Sequence, residues 1–402
     1  MEKLENKKQL NKLRAIVMTS NLPDDVNTTT LSEPQITPID QIEKDGIKLE
    51  KQPRPLRLVR NESEKNTYKD IYNFQKTNKI ISKQHITPDS SWIYDIKNIV
   101  FSGGGVKGYA YTGILKTLDS LFLKKHKNLY QQVTSVSGTS VGSMFALYFT
   151  LGVRGNQLLK EVKHTNIFEL THHMNIQNLM ENYGLCPSAY FKRIVYDVLE
   201  RYVGKGDITF QELYDLTQKT FICCVTNLTT GEPEYHSHQT VPSYRVFESV
   251  AASMSVPLLF SPCIINGQCF VDGGLQDNCP FRMFPIEETM ILYLDGWKRS
   301  TDMSSFENYV VFFAHSLWKS IDRTNFRLIP DQHLHRIVRI YIEGVSAMDV
   351  RITHEQRDMM IQQGSDLITK LASPTTYLYM IIKSILQEIC TRLSDKLLAH
   401  KK

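Results

Sequence analysis

Apolar and polar positions divide the chain into a featureless start, a strongly patterned middle and an amphipathic end. Through residues 1–92, apolar side chains are scattered among Asn, Lys, Thr, Gln and Pro with no period of two or 3.6 residues. That texture predicts a polar, partly disordered N-terminal extension. At Asn98-Ile-Val-Phe101 a short apolar run reads as a buried strand. It leads through Ser102-Gly103-Gly104-Gly105 into helical spacing at Tyr111, Ile114, Leu115, Leu118 and Phe122. A second strand is predicted at Val133–Val136, running into Ser137-Gly138-Thr139-Ser140-Val141-Gly142 and another apolar helix. A third, Phe221–Val225, points to a turn at Thr230-Gly231, and Arg245–Met254 has helical spacing. Asn266-Gly267, between Ile264-Ile265 and Cys269-Phe270-Val271, is a hairpin signal. Strands at Met290–Leu294 and Ile337–Ile342 and a helix at Glu355–Leu371 complete the middle segment.

Short apolar strands alternating with helices predict an α/β fold, a three-layer sandwich around a mainly parallel central sheet, over residues 93–375. Beyond it, Leu378, Ile381, Ile382, Ile385, Ile389 and Leu393 form one stripe, so residues 376–402 read as a C-terminal amphipathic helix. Its mixed charges (Lys383, Glu388, Asp395) suit packing on a core better than lying on lipid.

Composition narrows the class. With 402 residues, 42% of them hydrophobic, the chain can bury a core without metal or disulfide staples. The formal charge is +5, and +3 of it falls in the first 90 residues (16 Lys/Arg against 13 Asp/Glu), which excludes the basic footprint of a nucleic-acid binder. Seven cysteines, odd in number and without CxxC or Cys/His spacing, predict free, mostly buried thiols in a reducing compartment and no metal site. Met1–Leu13 lacks the apolar run of a secretory signal, and Val141–Val153 is too short and interrupted to span a bilayer. A cytoplasmic protein without a transmembrane span is expected.

Three features carry the candidate chemistry. Gly138-Thr139-Ser140-Val141-Gly142 is a G-x-S-x-G between a strand and a helix, the context in which a serine is held exposed on a strained turn as a nucleophile. Gly103-Gly104-Gly105-Val106-Lys107-Gly108, also between strand and helix, offers backbone N–H groups and a helix N-terminus to a phosphate or a developing oxyanion. It also fits G-x-G-x-x-G, but a dinucleotide site wants an acid about 20 residues further on, and no Asp or Glu lies between Asp119 and Glu161. The same acid-free window means that a base for Ser140 must come from elsewhere in the chain. Val271-Asp272-Gly273-Gly274, closing the hairpin strand, supplies a candidate carboxylate with open space around it.

The ordered set G-G-G-x-x-G, G-x-S-x-G and D-G-G resembles the patatin-like phospholipase domain, over about residues 95–375. Ala251-Ala252-Ser253-Met254-Ser255-Val256-Pro257 is similar to that family's helix-to-loop stretch, and Asn278 and Pro280 to the Asn and Pro that follow its D-G-G motif. The resemblance implies a lipid acyl hydrolase of the phospholipase or lysophospholipase type that needs no metal or cofactor and visits a membrane surface. It further implies a Ser140–Asp272 dyad, with Gly104, Gly105 and Val106 as oxyanion hole and Gly103, Lys107, Gly108, Gly138, Gly142, Gly273 and Gly274 as supporting motif residues. The family usually carries Arg where this chain has Lys107, which keeps the charge and loses the planar fork of donors. Two other readings stand beside it. One is a Ser–Asp–His esterase using His315, His333, His335, His354 or His400. The other is a catalytically silent lipid-binding protein of the same fold. Head-group preference and oligomeric state are not set by the sequence.

Overall fold

The computed structural model describes residues 89–164, 175–296, 306–342 and 352–373, with Gly344, Val345 and Ala347. The N-terminal extension as far as residue 88 and the expected C-terminal helix lie outside the described residues.

The first half runs β1 (Asn98–Phe101), α1 (Tyr109–Lys124), β2 (Ser135–Thr139), α2 (Val141–Thr150), α3 (Gly155–His164), β3 (Gly184–Cys186), α4 (Ala189–Val203) and α5 (Phe210–Thr217). The second half runs β4 (Thr220–Asn227), β5 (Glu232–His236), α6 (Val246–Ser253), β6 (Leu258–Phe260), β7 (Cys263–Ile265) and β8 (Gln268–Asp272), then β9 (Thr289–Asp295), α7 (Phe306–Phe326), β10 (Ile337–Tyr341) and α8 (His354–Ala372).

The main sheet has the order β10-β9-β1-β2-β4-β8-β7, with β5 also paired to β4. The pairings from β10 through β4 are parallel, while β8, β7 and β5 run antiparallel to their neighbours. β3 and β6 form a separate parallel pair. The mainly parallel α/β sandwich expected from the strand–helix alternation is therefore present.

All four β1 residues are buried, as a central strand covered on both faces requires. Ile99 and Phe101 join one core with Tyr111 and Leu118 of α1 and Phe145 of α2. Val100 points the other way, into a core with Ile291, Tyr293 and Phe326 at the end of α7. Truncating a fully buried ring such as Phe101 to Ala typically costs about 3–5 kcal/mol. Local chemistry sets several element ends. Thr209 with Glu212, and Thr353 with Gln356, form capping boxes that start α5 and α8. Asn266 and Gly267, both at positive φ, make the tight turn between β7 and β8.

The expected elements recur with shifted edges. β2 begins two residues later than its apolar run and takes in Ser137-Gly138-Thr139, beyond the strand end expected at Val136. Those small residues stay extended because Ser137 and Gly138 are paired with both β1 and β4, and Thr139 with β4. The six cysteines among the described residues are free and five of them are buried.

Candidate active site

Parallel pairing sets Phe101 of β1 opposite Gly138 of β2, so the chain leaves both strand ends side by side. One exit is the Gly103–Gly105 loop and the other is the turn at Ser140. Ser140 sits at φ 55°, ψ −131°, a backbone state costing a non-glycine residue on the order of 1–3 kcal/mol. Its surroundings hold it there. The Ser140 N–H donates to Ser253 Oγ at 2.9 Å, Ser143 Oγ donates to the Ser140 carbonyl at 2.6 Å, and Thr139 Oγ1 donates to the Asp277 carbonyl at 2.9 Å. At Gly142 a Cβ would collide with the Phe101 and Ser102 carbonyls, so only glycine lets α2 start this close to β1.

Asp272 ends β8, paired antiparallel to β4 with Val225 opposite it. Its N–H donates to the Ser255 carbonyl at 2.9 Å, and its Oδ1 accepts the Gly274 N–H at 2.7 Å. Its Oδ2 is buried and has no hydrogen-bond partner. Burial pushes the Asp272 pKa up to about 7, against smaller lowering influences from the Ser140 hydroxyl and the Gly274 N–H. Ser140 and Asp272 line one pocket. The Ser140 hydroxyl thus bears on the Asp272 carboxyl.

The glycine loop forms a third wall. Gly103 N–H is taken by the Asn278 carbonyl at 3.0 Å, whereas Gly104 and Gly105 donate no backbone hydrogen bond among the described residues. Val106 N–H, expected as a third oxyanion donor, is instead occupied by the Ala347 carbonyl at 3.0 Å. The same oxygen abuts Gly105, where φ is +55° and a Cβ would overlap it. Lys107 is buried with its Nζ donating to the Gly296 carbonyl. Burial and the neighbouring Lys319 ammonium pull its pKa down to about 8, while Asp295 works the other way.

Residues to which the sequence assigned no role in the chemistry, Lys319 and Asp322 among them unsignalled altogether, complete the site. Ser253 and Ser255 touch the backbones of Ser140 and Asp272, and Lys319, Asp322 and Asn278 share their pocket. The described histidines lie elsewhere. His333 is near Glu287, His335 packs on Trp92 and His354 is exposed at the start of α8. The His315 side chain and His400 are outside the described residues.

Residues 99–285 match the family model for patatin-like phospholipases, and this part of the chain is a patatin-like phospholipase domain. An uncharacterised protein of Acanthamoeba polyphaga mimivirus is 22% identical over 70% of this chain and 95% of its own length. A probable lipid hydrolase of Invertebrate iridescent virus 6 is 24% identical over 46% of this chain, which spans 61% of that protein. A lysophospholipase of Aspergillus fumigatus is 26% identical over 45% of this chain, but only 10% of its own length is matched. Among solved structures, VipD from Legionella pneumophila is similar at 20% identity and a TM-score of 0.44, over 69% of this chain and 67% of that one. Among the described residues, no helix is long and apolar enough to cross a membrane.

Proposed function

We propose that the protein is a lipid acyl hydrolase of the phospholipase A or lysophospholipase type, in which Ser140 is the nucleophile and Asp272 its general base. The domain match and the lipid-hydrolase names of its relatives support the reaction class. The observation that carries the residue assignment is the unpartnered, buried Asp272 oxygen in the pocket of a serine held at positive φ.

The chemistry follows from those positions. Asp272, whose pKa of about 7 suits proton exchange near neutrality, takes the Ser140 proton as Oγ bonds to the ester carbonyl carbon. The carbonyl oxygen becomes an oxyanion facing the free N–H groups of Gly104 and Gly105, each such donor being worth roughly 3 kcal/mol in related chemistry. As the tetrahedral species collapses, the leaving alcohol takes the proton from Asp272 and the acyl group stays on Ser140. Water then attacks the acyl-enzyme, giving its proton to Asp272, and the fatty acid departs as Ser140 regains a proton. The substrate is an acyl ester presented at a membrane surface.

Ser140→Ala and Asp272→Asn should each abolish fatty-acid release from mixed phospholipid vesicles. Undiminished release by either variant, correctly folded, would remove that residue from the mechanism.

A further inference from the structure

α7 brings two charged side chains to the same pocket from outside the residues that match the family. Lys319 and Asp322 are three residues apart, one turn of the helix, and both line the pocket with Ser140, Asp272 and Lys107. Lys319 Nζ pairs with Asp295, whose other oxygen takes Arg339 Nη1 at 3.1 Å. Asp295 also accepts the Gly296 N–H at 2.8 Å, so it is held by more partners than one charge requires. Burial alone would raise the Asp295 pKa, but Lys319, Gly296 and Arg339 outweigh it and keep the carboxylate ionised. Lys107, Lys319 and Arg339 therefore surround a single firmly ionised carboxylate, and Lys107 and Lys319 lie close enough to repel one another.

Asp322 supplies a second, independent sign of a missing ligand. It is 3% exposed, and its Oδ2 accepts from Tyr293 Oη at 2.7 Å and from Asn278 Nδ2 at 3.4 Å. Its Oδ1 is buried and has no partner, a state that normally costs more than it returns. Tyr293, Asn278 and Asp322 all line the pocket beside Ser140.

We propose that Lys319 and Lys107 hold the phosphodiester of a glycerophospholipid substrate and that Asp322 Oδ1 accepts a hydrogen bond from a donor on its headgroup. The position of the scissile ester in this picture rests on the acyl-hydrolase reading; the headgroup subsite itself does not need turnover. A phosphodiester carries one negative charge over two free oxygens, one for each ammonium, in charge-assisted hydrogen bonds. An ethanolamine or glycerol headgroup has N–H or O–H donors for Asp322. A trimethylated choline has none, and diacylglycerol, with a hydroxyl, lacks the phosphate. The expected order of preference is phosphatidylethanolamine, then phosphatidylcholine, then diacylglycerol.

The test uses the full chain as Ser140→Ala, alone and combined with Lys319→Gln, Lys319→Arg or Asp322→Asn, titrated calorimetrically with glycerophosphoethanolamine, glycerophosphocholine and inorganic phosphate. The ethanolamine diester should bind more tightly than the choline diester. Lys319→Gln should weaken both about tenfold, Lys319→Arg should restore them, and Asp322→Asn should erase the difference between them. No detectable binding of either diester, or equal binding by the Lys319→Gln protein, overturns the proposal. Inorganic phosphate binding as tightly as the diesters also overturns it, reassigning the cations to a free-phosphate site. In parallel, the protein with native Ser140 is assayed for release of fatty acid from the three lipids. Absence of turnover with the binding pattern intact would overturn the acyl-hydrolase reading while leaving the headgroup subsite standing.

Discussion

The Ser253 hydroxyl accepts the backbone N–H of Ser140 at 2.9 Å and donates in turn to the Cys224 carbonyl at 2.6 Å. One buried side chain thus ties the turn that carries the serine to the adjacent strand β4. Two residues later the Ser255 carbonyl accepts the Asp272 N–H at 2.9 Å. The end of α6 and the loop after it therefore fix both groups proposed to react, each through its backbone.

Replacing Ser253 by Ala leaves the Ser140 N–H and the Cys224 carbonyl without this partner. A loss of about 1–3 kcal/mol in stability is expected for groups buried in this way. The strained Ser140 backbone should also relax away from its productive angle. Steady-state kinetics should show kcat reduced by about tenfold or more with KM little changed, tenfold corresponding to about 1.4 kcal/mol in the barrier. A fall in KM-dependent binding alone would mean that Ser253 contacts substrate instead.

With Asp272 as the proposed base, activity and stability should depend on pH in opposite senses. As a base it must be ionised, so kcat/KM should rise with pH through about 7 and level off above it. Folding, in contrast, favours the protonated carboxyl, because burial raises the native pKa above the unfolded value of 3.8. The stability this group contributes is complete below pH 4 and is lost as pH rises through about 7. Asp272→Asn should be inactive yet more stable than the native sequence at pH 8, by roughly 2–4 kcal/mol from the size of the shift. Denaturant unfolding at pH 4 and pH 8 should show the gap only at the higher pH.

Gly142→Ala probes how closely the serine turn approaches β1. The added methyl meets the Phe101 and Ser102 carbonyls, which are backbone atoms at the end of β1. The variant should lose at least about 2 kcal/mol of stability, the range of a core overpacking substitution, and most of its hydrolytic activity. Thermal unfolding with an activity assay on the same preparation checks both.

Much of this arrangement was legible in the sequence where a local signal carries it. The apolar run of β1, the helical spacing of α1 and the Asn266-Gly267 turn each depend on residues near one another, and all three formed as expected. The strand character of Ser137-Gly138-Thr139 was not legible, because it comes from neighbours in the sheet and not from the residues' own propensities. Ser253 stood in a recognisable stretch, but nothing in that stretch shows that its hydroxyl reaches a backbone amide 113 residues away. Lys319 and Asp322 gave no signal at all. A lysine and an aspartate one turn apart on a helix usually face water, and only the packing of α7 against β9 brings them beside Ser140. The Ala347 carbonyl on Val106 was equally hidden, since a motif specifies donors and not what lies against them.

The central claim is that Ser140 is a nucleophile activated by Asp272, and labelling by a fluorophosphonate tests it most directly. The probe bonds covalently to an activated serine, and peptide mass mapping of the labelled full chain at pH 8 identifies which one. A single adduct on Ser140 is expected, absent in Ser140→Ala and formed at least tenfold more slowly in Asp272→Asn. A folded protein that stays unlabelled at Ser140, or labels equally fast without the Asp272 carboxylate, would contradict it.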